Sequence, residues 1–197
     1  MKNNLTLTPG VVISVCLGLT AVTLAACESS PKLISWQEEV KLSSGEILVV
    51  TRTAKVKPFG EIGGPGGWEN KGMTFVIASR KRADDPPVWD FPFVPVVFDR
   101  DTQTAEWFVV ATFYSCQSWN DLGRPKLPYA EYRLKNGQWV QGQLSPSAIG
   151  LKANMETGVK SNGEPPMLTV TQKELRMTEP KIAKEYTQVV ATWSTSC

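Results

Sequence analysis

The sequence contains no histidine among its 197 residues. Imidazole is the usual general base beside a catalytic serine or cysteine, and it is the commonest side-chain ligand of transition metals. The absence of histidine excludes Ser-His and Cys-His nucleophile systems and the metal sites built on imidazole. We therefore predict no metal site and no cofactor.

An excess of charge of one sign is also absent, because 21 Lys and Arg residues face 19 Asp and Glu residues. Removal of an N-terminal segment that carries only Lys2 brings the remainder still closer to neutrality. A near-neutral domain has no electrostatic reason to bind nucleic acid or an anionic lipid surface. We expect no nucleic-acid partner.

Long apolar runs are confined to the N-terminus, where Lys2 is followed by an apolar run (residues 11–24) and by small residues before Cys27. This order is typical of a secretory signal peptide. The alternative, a transmembrane anchor, is weaker because residues 11–26 include several polar positions and fall short of the roughly 20 residues that span a bilayer.

The sequence Leu-Ala-Ala-Cys at residues 24–27 resembles the bacterial lipobox, which implies that Cys27 receives a diacylglycerol group with palmitate-like chains before cleavage and then becomes residue one of the mature chain. Several chains at ~0.8 kcal/mol per buried methylene anchor a protein stably. Glu28 follows, which by resemblance to the sorting rule of enteric bacteria predicts the outer membrane, facing the periplasm. The predicted organisation is a signal peptide (1–26), a lipidated tether (27–33) and one β-rich domain (34–197).

Cysteine is scarce, with four residues in the whole chain. Cys16 leaves with the signal peptide and Cys27 carries lipid, so Cys116 and Cys197 remain in an exported, oxidising compartment. A disulfide between them is the natural interpretation, and it would stabilise by roughly 4 to 5 kcal/mol on the chain-entropy model. Two separate thiols and half of a metal site are the alternatives.

Seven segments have the alternation or the β-branched and aromatic content of strands, and most are joined by short turns. The fold class predicted is mainly β: one antiparallel, meander-like or sandwich-like domain with a short C-terminal helix over residues 171–178. Residues 55–72 are rich in glycine and are predicted to form a loop. The strands are predicted at residues 34–42, 47–54, 73–79, 93–98, 106–114, 129–134 and 138–143, with a last strand at 186–193.

Residues 116–129 form the segment richest in candidate binding residues, since they combine a cysteine, aromatic residues, an arginine and two prolines. Loops held rigidly on a scaffold often carry binding sites. The alternative is that Pro125 and Pro128 only shape the crossover between two strands. The candidate binding residues are Trp119, Asp121, Arg124 and Tyr129.

Carboxylate chemistry is the catalytic mechanism that a chain without histidine retains, as in glycan hydrolysis by two acids. Three tryptophans in predicted loops, Trp68, Trp89 and Trp119, either stack on a sugar or pack in the core. The structural alternative for the acids is that they are solvated surface charges. The candidate acids are Glu38, Glu39, Asp90, Asp99, Asp101, Glu106, Asp121 and Glu131.

Two stretches carry a resemblance to a known group of proteins. The first is Trp-x-Glu-Glu-Val-x-Leu-x-x-Gly-x-Ile at residues 36–47, and the second is the segment 116–129 with Gly123, Pro125, Pro128 and Tyr129. Together they resemble a family of small uncharacterised lipoproteins exported by proteobacteria. This resemblance implies an exported β-rich domain, and it implies no activity, because none is established for the group.

The function predicted is that of a membrane-anchored lipoprotein acting as a non-catalytic binding or envelope-assembly module. Its expected partners are the membrane, through the lipid, and an envelope protein or glycan. One alternative is a histidine-free hydrolase of cell-wall glycan that uses paired carboxylates. Another is an inhibitor of periplasmic hydrolases, whose rigid loop at residues 116–129 would block a catalytic cleft.

Overall fold

The computed structural model describes residues 30–59, 67–79, 82–113, 116–121, 123–159, 165–180 and 182–193. Nine strands, two short α-helices and two 3-10 helices lie in these ranges, and strand dominates, as the sequence predicts. In chain order the strands and α-helices are β1 (Lys32–Lys41), β2 (Ile47–Phe59), β3 (Gly67–Ile77), β4 (Trp89–Phe91), β5 (Val94–Arg100), β6 (Trp107–Thr112), α1 (Cys116–Asp121), β7 (Tyr129–Lys135), β8 (Gln138–Gly142), β9 (Met167–Leu168) and α2 (Val170–Met177).

The strands form two sheets: β1 to β4 and then β5 to β8 follow each other along the chain, and β9 returns to the first sheet. The five-stranded sheet has the order β4-β3-β2-β1-β9, and the four-stranded sheet has the order β5-β6-β7-β8. All pairings are antiparallel except the one between β1 and β9, which is parallel. Since β4 and β5 are separated by only two residues, the chain passes between the sheets at Pro92 and Phe93.

The glycine-rich segment at residues 55–72 is not a loop throughout, so that prediction is wrong at both ends. β2 continues to Phe59, β3 begins at Gly67, and their registers shift between Lys55 and Val56. The side chain of Val56 is fully buried. A β-bulge absorbs the extra residue, and the φ of 150° at Gly72 suits a residue without a Cβ. Cross-strand pairing outweighs the low strand propensity of glycine here.

One buried cluster contains residues of both sheets. Phe75 of β3 lies 4.9 Å from Phe98 of β5, and Trp89 of β4 lies 5.6 Å from Tyr132 of β7, measured between ring centroids. A second cluster covers the other face of the four-stranded sheet with residues 144–153 and the segment around Val189. Because β5 and β6 are covered on both faces, their sequences are almost continuously apolar, whereas β1 alternates.

The remaining differences from the sequence prediction concern short elements. α1 occupies part of the segment expected to be a loop, and β4 and β9 are short strands that were not predicted. α2 begins one residue earlier than expected, with a capping box in which the Thr169 side chain accepts from the Gln172 backbone N–H. Residues 186–193 do not form a strand: a 3-10 helix covers Lys184–Tyr186, and a single bridge joins Gln188 to Lys152.

Candidate functional site

Glu38 lies at the centre of a buried charged cluster. The alternation of β1 points this carboxylate inward, and its exposed fraction is 0%. Its Oε1 lies 2.8 Å from Nη1 of Arg52, which is equally buried, and its Oε2 lies 2.8 Å from Nζ of Lys173. The backbone N–H of Glu156 donates to the same Oε2 at 2.8 Å. Both carboxylate oxygens are therefore occupied by internal donors.

The two cations of this cluster are also engaged elsewhere. Arg52 donates to the Glu156 carbonyl and to Sδ of Met73, and its guanidinium lies 5.0 Å from the centroid of the Trp36 ring. Lys173 donates to the carbonyl of Asn154. The cluster thus connects the inner face of the five-stranded sheet to α2 and to residues 154–156.

Burial and charge act in opposite directions on the acid–base behaviour of this cluster. Burial acts to raise the pKa of Glu38, but the cations Arg52 and Lys173 outweigh burial and hold that pKa below its ordinary value. For Lys173, burial lowers the pKa of the ammonium more than the attraction of Glu38 raises it. An ionised carboxylate fully occupied by two cations is a structural anchor rather than a group poised for proton transfer.

A cleft of about 340 Å³ opens beside α2, and we call it the α2 cleft. One wall is the turn between β1 and β2 with Ser43, and the end of β5 contributes Asp99. The opposite wall is the face of α2 that carries Lys173 and Met177. Residues 151–154 complete the lining.

Asp99 is the buried carboxyl of the α2 cleft, with an exposed fraction of 6%. It accepts hydrogen bonds from the backbone N–H and the hydroxyl of Ser43 at 3.0 to 3.2 Å and from the Arg100 N–H at 2.7 Å. Among the described residues no cation forms an ion pair with it. Burial raises the pKa of Asp99 above its ordinary value, against the lowering effect of the Arg100 and Ser43 hydrogen bonds.

A second cavity of about 230 Å³ shares Ser43, Asp99 and Leu151 with the α2 cleft and continues it towards β7. Asp101 lies in its wall, and hydrogen bonds from the backbone of Thr104 and Gln103 and from Arg133 lower the pKa of Asp101 to about 2. In this second cavity the charges of Asp101 and Arg133 are therefore paired with each other.

The rim of the α2 cleft differs from the second cavity because its charges lack internal ion pairs. Lys41, Lys152 and Glu174 are exposed, and within the described ranges none of the three forms an ion pair. Leu42, Leu151 and Met177 contribute apolar side chains to the same lining. An apolar pocket with a few placed polar groups is the usual form of a ligand site. This arrangement suits a ligand that carries an anionic group and a less polar part.

The predicted binding segment at residues 116–129 contains a compact aromatic group. The indole N–H of Trp119 donates to the Pro125 carbonyl at 3.0 Å, and its ring lies 5.6 Å from that of Trp193. Arg124 is exposed, and its guanidinium lies 5.7 Å from the Trp119 ring. Trp119 and Arg124 thus share one surface, while the side chain of Asp121 lies outside the described part of the chain.

Tyr129 is placed apart from these residues and is buried. Its hydroxyl donates towards the carbonyls of Glu185 and Gln188 at 3.0 and 3.1 Å and accepts from the Val190 N–H at 3.2 Å. Burial, with a smaller contribution from Glu185, raises the pKa of Tyr129 to about 12. These contacts favour a structural role, in which Tyr129 holds the C-terminal segment against the four-stranded sheet.

The predicted disulfide has one cysteine within the described ranges, Cys116 at the start of α1, whereas Cys197 lies outside them. The C-terminal segment does return to this region, because the Trp193 ring contacts Phe113 at 5.7 Å and Trp119 at 5.6 Å. The bridge stays a prediction. Cys27 and the whole predicted signal peptide also lie outside the described residues.

None of the tryptophan side chains that the structure describes lines either cavity. Trp89, expected in a loop, lies on β4 and is fully buried against Phe75 and Tyr132, while the side chain of Trp68 is outside the described part.

The other candidate acids contact polar groups of the chain itself. Glu39 accepts from the Val170 N–H, Asp90 lies near Lys55, and Glu106 and Glu131 lie near Arg133. Sequence reasoning named Glu38 and Asp99 but missed Arg52, Lys173 and Ser43, which define their environments.

Neither a protein-family profile, nor a curated protein, nor a solved structure matches the chain. None of the helices in the described ranges is both long and apolar enough to span a bilayer. In those same ranges no three acidic or cysteine side chains converge as metal ligands would. The resemblance to exported lipoproteins therefore stays a prediction from the sequence.

Proposed function

We propose that the chain is a lipoprotein of the bacterial envelope, anchored through Cys27, that binds an acidic cell-wall fragment in the α2 cleft without transforming it. The observation that carries this proposal is the pair of exposed lysines, Lys41 and Lys152, which have no ion-pair partner in the described structure and line the same cleft as the apolar side chains of Leu42, Leu151 and Met177. A carboxylate on a ligand would supply the partner that both lysines lack.

The environment of the buried groups supports binding rather than catalysis. Lys173, the buried cation of the cleft, is held by Glu38 and by a backbone carbonyl. Burial lowers the pKa of the Lys173 ammonium, but a lysine that acts as a base or nucleophile must also reach its substrate, and the Nζ of Lys173 is buried and already donates to these two acceptors. Lys173 is therefore suited to hold α2 in place as one wall of the cleft.

The anchor would keep the start of β1 near the bilayer, whereas the α2 cleft lies at the opposite end of this ten-residue strand, about 30 Å further along. β1 begins at Lys32, five residues after Cys27, so an extended tether at ~3.5 Å per residue spans about 18 Å. Two or more acyl chains make such attachment stable. The tether and the strand together would let the α2 cleft lie up to about 50 Å from the membrane surface.

The attachment is tested by intact-mass analysis of the chain purified from bacterial membranes. We expect a product that begins at Cys27 and carries the added mass of acyl chains, and we expect the Cys27→Ser variant to leave the membrane fraction or to keep its signal peptide. A product that begins at Met1 with an unmodified sulfur at Cys27 would refute the anchor.

Binding is tested with the full chain in detergent, titrated with soluble carboxylate-bearing fragments of cell-wall glycan in a calorimeter. Each exposed ion pair contributes up to ~1 kcal/mol, so the double variant Lys41→Gln/Lys152→Gln should bind about tenfold more weakly. The matched control is Lys126→Gln/Lys135→Gln, which removes the same charge from exposed positions outside both cavities. Equal affinity of the two double variants would contradict the proposed site.

A second candidate function is glycan hydrolysis, and one observation favours it. Asp99 and Asp101 both line the second cavity, and their pKa values are displaced in opposite directions, as in an acid paired with a carboxylate base. Chromatography of the glycan fragments after incubation decides between the two functions. New products that disappear in the Asp99→Asn variant would support hydrolysis, whereas recovery of intact fragments supports binding alone.

A further inference from the structure

The free edge of the four-stranded sheet is formed by β8, whose residues are mostly exposed. β8 pairs with β7 on one side, and no hydrogen bond in the described structure involves the backbone of β8 on its other side. Edge strands expose a row of unpaired N–H and C=O groups that can pair with another strand. β8 therefore presents an unoccupied hydrogen-bonding edge.

The other sheet edges are protected in ways that β8 is not. β4 has three residues and β9 has two, so each offers little to pair with. The edge of β5 is covered by residues 154–155: the Asn154 side chain bonds both the N–H and the C=O of Phe98, and the Asn154 and Met155 N–H groups donate to the Val96 carbonyl. β8 has five residues and contains no proline, no charge and no bulge.

The geometry of the hairpin identifies the backbone groups that are available. β7 and β8 are joined by the two residues Asn136 and Gly137, both with positive φ, so Lys135 and Gln138 form the hydrogen-bonded pair that closes the turn. Such pairs alternate along an antiparallel ladder. The N–H and C=O groups of Trp139 and Gln141 are therefore directed away from β7.

We propose that β8 is a dimerisation edge that pairs antiparallel with β8 of a second copy of this chain, about a two-fold axis at Val140. In this register Trp139 lies opposite Gln141 of the second copy, so all the outward backbone groups join in about four hydrogen bonds. Val140 lies opposite Val140 of the second copy, as a close β-branched pair. The two four-stranded sheets become one continuous sheet.

The composition of β8 favours a second copy as the occupant. Self-pairing brings identical strands together, which is unfavourable when they carry charge, and the sequence Gln-Trp-Val-Gln-Gly carries none. Val140 is 45% exposed in the single chain, so the pairing also covers an apolar side chain. A two-fold pairing closes on itself and leaves no free β8 edge for further growth.

Disulfide trapping tests the register directly, with the full chain in detergent and wild type treated in parallel. Residues facing each other in a non-hydrogen-bonded pair lie about 4.5 Å apart at Cα, which suits a disulfide, so Val140→Cys should form a covalent dimer under mild oxidation. Gln138→Cys is the matched control on the same face of the strand. Its copies would lie four residues out of register, roughly 13 Å apart, and should not cross-link alone.

Gln138→Cys mixed with Gly142→Cys should cross-link, because these positions face each other in the proposed pair.

Sedimentation of the Val140→Lys variant supplies an independent readout. Its melting curve should show that it remains folded, and it should sediment as a monomer at concentrations where wild type is dimeric. The proposal is overturned if wild type is monomeric throughout, if Val140→Cys cross-links no better than Gln138→Cys, or if Val140→Lys dimerises like wild type.

Discussion

Glu38 and Asp99 are two carboxyl groups on strands that solvent hardly reaches, with exposed fractions of 0% and 6%. Their partners differ. Glu38 accepts from two cations, Arg52 and Lys173, whereas Asp99 accepts only from backbone N–H groups and the hydroxyl of Ser43. Accordingly, the pKa of Glu38 lies below its ordinary value and the pKa of Asp99 lies above it.

The difference shows that burial alone does not define the role of an acidic residue. A buried carboxylate that accepts from two cations and a backbone N–H is already satisfied by groups of the protein. Removing this carboxylate leaves the two buried cations without a counter-charge. A buried carboxyl without a cation stays closer to the protonated form and faces a cleft in which a ligand can still bind. We therefore assign Glu38 to the stability of the fold and Asp99 to the lining of the α2 cleft, the proposed binding site.

The largest effect that follows from this comparison is the loss of the Glu38 charge. Glu38→Gln keeps the shape of the side chain but leaves Arg52 and Lys173 buried without their anion, which costs ~3 to 5 kcal/mol in comparable buried pairs. We expect a decrease of about this size in the free energy of unfolding, measured by urea denaturation at neutral pH.

The matched control is Glu39→Gln, the same change one residue further along β1. Glu39 is only half buried, and its carboxylate accepts from the Val170 N–H at 3.0 Å, so we expect a loss of about 1 kcal/mol or less. The double variant Glu38→Gln/Lys173→Met should lose less than the sum of the two single variants, because it removes a cation together with the anion. Additive losses would show that Glu38 and Lys173 do not act as a pair.

The fold class was predictable because it depends on local patterns. The alternation in β1 and the Asn-Gly turn between β7 and β8 indicate hairpins from neighbouring residues, and the structure contains both. The uninterrupted apolar runs of β5 and β6 indicate strands buried on both faces, which the two clusters explain. Short-range sequence signals were sufficient for these elements.

The charged cluster was not predictable because its members are far apart along the chain. Lys173 and Glu38 are 135 residues apart in the sequence, and no residue near Lys173 in the sequence distinguishes it from a solvated helix lysine. The extension of β2 to Phe59 was missed for a related reason, since its stability comes from pairing with β3 and from burial of Val56 rather than from local propensity.

The smallest effect in this comparison is the loss of the Asp99 charge, and its dependence on pH has the opposite sign to that of Glu38. Because the folded pKa of Asp99 is raised, its contribution to stability is fully present below the unfolded pKa of about 3.9 and is lost as pH rises through the folded pKa. The lowered pKa of Glu38 gives a contribution that is present above its unfolded pKa and lost as pH falls.

We therefore expect Asp99→Asn to change the free energy of unfolding by only about 1 kcal/mol at pH 7, the scale of an ordinary hydrogen bond. As pH is lowered towards 4, wild type should become more stable relative to Asp99→Asn, because only wild type can take up a proton at this position. Urea denaturation of both proteins at a series of pH values measures this difference. The contributions of the other carboxyl groups to the pH dependence are the same in both proteins and therefore cancel. If the free energy of unfolding of wild type instead fell relative to that of Asp99→Asn on acidification, Asp99 would be ionised and paired in the native state, like Glu38.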